Sequence, residues 1–155
     1  MNRAAVLLLA LWFGAAAAVF LLAWLSEWRP VGTASTVAIG KTLYAERCAA
    51  CHGTNLEGQR DWKTPLPSGR MPAPPHDASG HTWHHPDDML FRITKEGPAA
   101  VVRGGYQSDM QGFDNIMSDD EIRAVLMFIK GTWPERERRY QEEMSRRERG
   151  ATVGG

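Results

Sequence analysis

Apolar residues fall along this chain in two distinct patterns. Residues 4–25, AAVLLLALWFGAAAAVFLLAWL, carry no charged side chain over 22 positions. As a helix this run would extend about 33 Å, enough to cross a hydrocarbon core of roughly 30 Å. Residues 1–28 therefore read as a single-pass transmembrane anchor. Trp24 and Trp28 suit the far interface, while Arg3 and the amino terminus mark the positive, cytoplasmic side. The remainder of the chain would then face the periplasm or an equivalent exterior from the inner membrane. A cleaved signal peptide is the alternative, with Ala15, Ala16 and Ala17 as the small-residue site. The apolar stretch VFLLAWL that follows makes the run longer than a signal core of roughly 7–15 residues, which favours a retained anchor.

Beyond residue 28 the pattern turns amphipathic and broken. Pro30, Gly32, Thr33 and Ser35 give residues 29–36 the character of a linker. Val37, Leu43 and Tyr44 predict a helix from 37 to about 50. Residues 53–80 hold Pro65, Pro67, Pro72, Pro74 and Pro75 among several glycines and fit no regular element. So long a loop inside a compact domain is functional or wraps something. His85-Pro86-Asp87-Asp88 predicts a helix start, proline and carboxylates suiting the positive end of the dipole, and Gly97-Pro98 its stop. Ser118 and Glu121 form a capping box that opens a helix with Ile122, Val125, Leu126 and Ile129 on one face. Residues 135–149 contain six arginines and five glutamates and predict a solvated mixed-charge helix within a tail of 134–155, frayed from 151 onward. No strand is expected, so the fold class is all-α, with a globular domain over 37–133.

The 155 residues balance 18 Lys and Arg against 18 Asp and Glu. A neutral chain lacks the basic footprint of a nucleic-acid binder. Two cysteines are too few for a disulfide scaffold or for a four-cysteine zinc or iron–sulfur site. They occur as Cys48-Ala49-Ala50-Cys51-His52, the C-x-x-C-H signature of c-type haem attachment. On one helical turn both thiols can add to porphyrin vinyl groups, and the adjacent imidazole then lies under the iron as proximal ligand. A thioredoxin-like reading needs a βαβ pattern, which is missing here.

On these residues the chain resembles the class I c-type cytochromes. Gly40 and Tyr44 before CAACHG, and Leu126 with Phe128-Ile129 in the last helix, match the family over residues 40–133. The resemblance implies a cytochrome c-like domain with one covalent haem c and a first and last helix that cross closely at a small residue. It implies that Pro74, in Ala73-Pro74-Pro75, offers its carbonyl to the His52 N–H. It also places Met110-Gln111-Gly112-Phe113 as the loop that presents the second axial sulfur, with glutamine where the family usually has proline. Met71 is the runner-up. Met117 reads as core beside the helix cap, and Met89 and Met127 as core-filling helix residues.

His76, His81, His84 and His85 lie within ten residues. A copper or zinc site is one reading. The preferred one is structural: His85 caps the helix opening at Pro86, and the others bond loop carbonyls or haem propionates; the stretch also resembles one in a subset of exported monohaem cytochromes, which implies that Trp83 packs near the haem. The function expected is electron carriage without enzymatic turnover, by Fe(III)/Fe(II) cycling between respiratory redox proteins such as an oxidase or dehydrogenase. The alternatives are a haem subunit fixed in a larger respiratory complex, a haem gas sensor or peroxidase, and a periplasmic copper-handling protein.

Overall fold

The computed structural model describes residues 33–153, so the expected anchor over 1–28 lies outside the described residues. Among the described residues no helix is long and apolar enough to cross a membrane. The chain runs through α1 (Thr33–Arg47), α2 (Ala49–His52), a 3-10 turn (Thr82–His84), α3 (Asp87–Glu96), α4 (Pro98–Val101), α5 (Asp119–Gly131) and α6 (Glu135–Val153), with no strand among the described residues. The all-helical expectation is met.

Helix α1 is described from Thr33, inside the segment read as linker, because Thr33 and Ser35 disfavour a helix interior only slightly. Cys48 alone separates α1 from α2, and its N–H still bonds Tyr44 O at 2.9 Å. At α5 the capping box is complete: Glu121 N–H donates to Ser118 Oγ, and Ser118 N–H to Glu121 Oε2. At α3 the sequence reading fails in one respect. His85 does not cap the helix; the first N–H, of Asp87, donates to Ser145 Oγ of α6 at 3.0 Å.

Helices α1 and α5 meet at Gly40. A Cβ there would stand 2.0 Å from the carbonyl oxygen of Ala124, so only glycine permits the approach. Tyr44, one turn on, lies 5.5 Å from the Phe128 ring of α5. Ile122, Val125 and Ile129 are buried beneath this crossing together with Leu90 of α3. Met117 is buried at 4 % exposure, as its position beside the cap suggested. Met127 is 38 % exposed and does not fill the core, since it points away from the Ile122–Val125–Ile129 face.

The tail is the main departure. Helix α6 is not solvated all round, and it continues to Val153 rather than fraying at 151. Glu137, Gln141 and Ser145, spaced four apart, form a buried polar stripe. Gln141 Nε2 donates to His85 O (3.3 Å), Asp87 Oδ1 (2.8 Å) and Ser145 Oγ (3.0 Å). Asp87 also receives Lys130 Nζ of α5 at 2.6 Å, so one carboxylate ties α3, α5 and α6 together. Desolvation pulls its pKa upward, but the bonds from Lys130, Gln141 and Ser145 prevail and hold it below the ordinary carboxylate value.

Two outcomes follow. Gly40→Ala forces α1 and α5 apart and should destabilise the domain by roughly 2–3 kcal/mol, lowering Tm by about 10 °C or more in calorimetry. Asp87 has a depressed folded pKa, so its contribution is present above the unfolded value of about 3.9 and disappears as pH falls through the folded value. Asp87→Asn should therefore cost about 1 kcal/mol at pH 7, since the site is part-exposed and screened, and progressively less as pH falls through the folded value in parallel denaturant titrations.

Candidate functional site

The site is built on α2. Cys48 and Cys51 are free thiols one turn apart, the first half-buried against the core and the second exposed. Burial, with a smaller contribution from Cys51, pushes the Cys48 thiol up to about 11. His52, at the end of the same turn, is 7 % exposed. Its Nδ1 lies 2.9 Å from the carbonyl oxygen of Pro74. A carbonyl only accepts, so Nδ1 carries the proton and Nε2 keeps a free lone pair. Burial lowers the His52 pKa and the Pro74 bond opposes it; the ring is held neutral, the form in which imidazole binds a metal.

Position 74 is set by the long loop. Gly58 N–H donates to His52 O at 2.8 Å and turns the chain back. Gln59 then grips Ala73 twice: its N–H donates to Ala73 O and its Oε1 accepts from Ala73 N–H, each at 2.8 Å. Two consecutive prolines after Ala73 fix φ and confine Ala73 itself to extended backbone, so the Pro74 carbonyl has little freedom. Tyr44 closes the other end, its hydroxyl donating to Gly53 O (2.9 Å) and to His52 O (3.3 Å). Burial, chiefly, raises the Tyr44 pKa well above the ordinary value, so it stays a donor.

On the opposite loop, Met110 is half-buried and packs against the core, its N–H held by Ser108 Oγ at 3.0 Å. Phe113 N–H donates to Thr94 O and Lys95 O, capping the end of α3. Gly112 passes so close that a Cβ would come within 2.6 Å of Lys95 O. Met71 sits on the proline-rich loop beside Arg70, whose guanidinium pairs with Asp109, the neighbour of Met110. That pair links the loops carrying the two candidate methionines.

The histidine stretch divides: His76 turns to His52, while His81 and His85 stay in edge contact with ring centroids 5.3 Å apart. His76 stacks on His52 with ring centroids 4.0 Å apart and planes 22° from parallel. His81 stacks on Trp62 at 5.2 Å, and His84 stands edge-on to Trp83 at 3.8 Å. Among the described residues no three His, Cys, Asp or Glu side chains converge as a metal-ligand set. His76 and His81 are stacked and His84 and His85 make edge contacts, so the described residues offer no set of three converging ligands for copper or zinc. Trp83 donates its Nε1–H to Ala78 O (3.3 Å) and meets Tyr140 of α6 at 5.4 Å; what it visibly does is dock the tail. Sequence reasoning misses Gln59 and Trp133, and places His76 only among the clustered histidines. None belongs to a spacing motif, and each acts through a contact to a distant segment.

The residues present fit a covalently held haem. Two free thiols and a neutral, oriented imidazole occupy one turn, and that histidine's only unengaged nitrogen is the one iron takes. The family model for cytochrome c matches residues 37–133. No curated protein and no solved structure matches the chain at a significant level. The matched span covers more than half of the chain and includes both cysteines, His52, Pro74 and Met110, and on that ground the chain belongs to the cytochrome c family, whose members bind haem c covalently and transfer electrons.

Proposed function

We propose that the chain is a membrane-anchored, monohaem c-type cytochrome that passes single electrons between respiratory redox partners on the exterior face of the inner membrane. The observation that carries the haem reading is the His52 Nδ1–Pro74 O bond next to two free cysteines on one turn. When bound, the haem supplies an iron that cycles between Fe(III) and Fe(II). Cys48 and Cys51 hold it as thioethers, and His52 Nε2 is the proximal ligand, kept in the right tautomer by Pro74. Met110 would hold the iron from the other loop, which is pinned to the end of α3 at Phe113. Were His52 and Met110 both to hold the iron, no position would be left for substrate, which favours carriage over gas sensing or peroxidase chemistry. The anchor over 1–28 rests on the charge-free run of 22 residues. A thioether opposite imidazole stabilises ferrous iron and raises the potential.

Expression of the full chain in a host that matures c-type cytochromes tests the reading. The expected product is membrane-bound, resists extraction by alkaline carbonate, dissolves in detergent, and keeps its haem through acid–acetone treatment. A colourless product with alkylatable thiols overturns the haem reading; release by carbonate overturns the anchor. Met110→Ala should keep the haem attached, abolish the weak far-red band of methionine-ligated ferric haem and admit CO rapidly. It should also lower the midpoint by at least 59 mV, a tenfold change in the one-electron equilibrium. If the far-red band persists, Met71 is the ligand.

A further inference from the structure

The stacking of His76 on His52 has no counterpart in the attachment motif. Two axial ligands of one iron meet end to end through the metal, not face to face, so a ring stacked at 4.0 Å is not the second ligand. Nor is His76 placed like a residue that merely fills space. Its N–H donates to Leu56 O at 2.7 Å, and its own carbonyl accepts the Trp133 Nε1–H at 2.7 Å. Its ring Nδ1 lies 2.9 Å from Thr82 Oγ1, and the Thr82 hydroxyl donates onward to Pro75 O at 3.4 Å. Three segments distant in sequence thus fix one imidazole: the turn after α2, the 3-10 turn and the chain just past α5. Leu56, which supplies the first anchor, is a buried leucine at φ +68°. Such a conformation persists only where its surroundings over-determine it.

We propose that His76 is a positioning residue for the proximal ligand: its stacked ring blocks out-of-plane swing of His52, which the in-plane bond to Pro74 leaves weakly restrained, and keeps water off that face of the imidazole. The proposal rests on the haem reading above. Its consequence is a proximal ligand of fixed plane in a drier setting, which favours the less charged ferrous state.

The test uses full-length holoprotein carrying His76→Leu, which fills the volume without an aromatic face, and His76→Phe, which restores the face. Low-temperature electron paramagnetic resonance of the ferric form reports the ligand planes, and potentiometric titration reports the midpoint. His76→Leu is expected to change the g-values and to shift the Fe(III)/Fe(II) equilibrium at least threefold toward ferric, about 28 mV. His76→Phe is expected to return both toward wild type. Wild-type g-values and midpoint in His76→Leu overturn the proposal, as does a His76→Phe protein that deviates as far as His76→Leu. Should His76→Leu fail to mature, Thr82→Val removes the ring's hydrogen bond at nearly constant volume. A smaller shift in the same direction then supports the proposal, and unchanged values overturn it. A wild-type chain without covalent haem overturns this inference together with the reading beneath it, whereas an intact haem spectrum with unmoved values overturns this inference alone.

Discussion

A single hydrogen bond, from His52 Nδ1 to the Pro74 carbonyl, closes a loop of twenty-two residues and decides which nitrogen of the histidine stays available. The bond itself contributes only about 1 kcal/mol net, but a buried imidazole N–H left without an acceptor would cost more than that. The whole segment from Gly53 onward serves this closure. Gly58 reverses the chain against His52 O, Gln59 grips Ala73 on both sides, and the prolines remove the torsional freedom that would let the carbonyl drift. A flexible loop of the same length could make the same bond, but at a greater entropic cost of ordering.

Around that closure the helices act as a frame. The Gly40–Ala124 contact brings α1 and α5 together at the backbone, which places Tyr44 where its hydroxyl reaches His52 O and Gly53 O. Just past the end of the same α5 stands Trp133, whose indole N–H holds the His76 carbonyl. One helix pair therefore constrains both the turn that carries the thiols and the loop that returns to the histidine. The Met110 loop is tied to a different support, the end of α3, so the two flanks of the site are held by separate elements.

Local signals in the sequence read well here. The C-x-x-C-H turn, the capping box at Ser118, the helix over 87–96 and the proline-rich loop each follow from chemistry within a few neighbouring residues. Contacts between remote segments did not. The stripe of Glu137, Gln141 and Ser145 carries no apolar periodicity, so α6 looked solvated, yet Gln141 is fully buried against His85 and Asp87. His85 looked like a cap because it precedes Pro86, whereas the cap comes from Ser145, fifty-eight residues after the N–H it receives. His76 looked like one of four clustered histidines, and only the fold shows that the ring stacked on it is that of His52.

The seam between α6 and the domain is polar where most helix seams are oily. Each group it hides, the Asp87 amide and carboxylate, the His85 carbonyl and the Ser145 hydroxyl, finds an equivalent partner in water once the helix lifts away. Orientation is thereby encoded strictly, since only one register matches donors to acceptors. The terminal helix is thus held to one seat, its register set by matched donors and acceptors beside the aromatic contact of Trp83 with Tyr140.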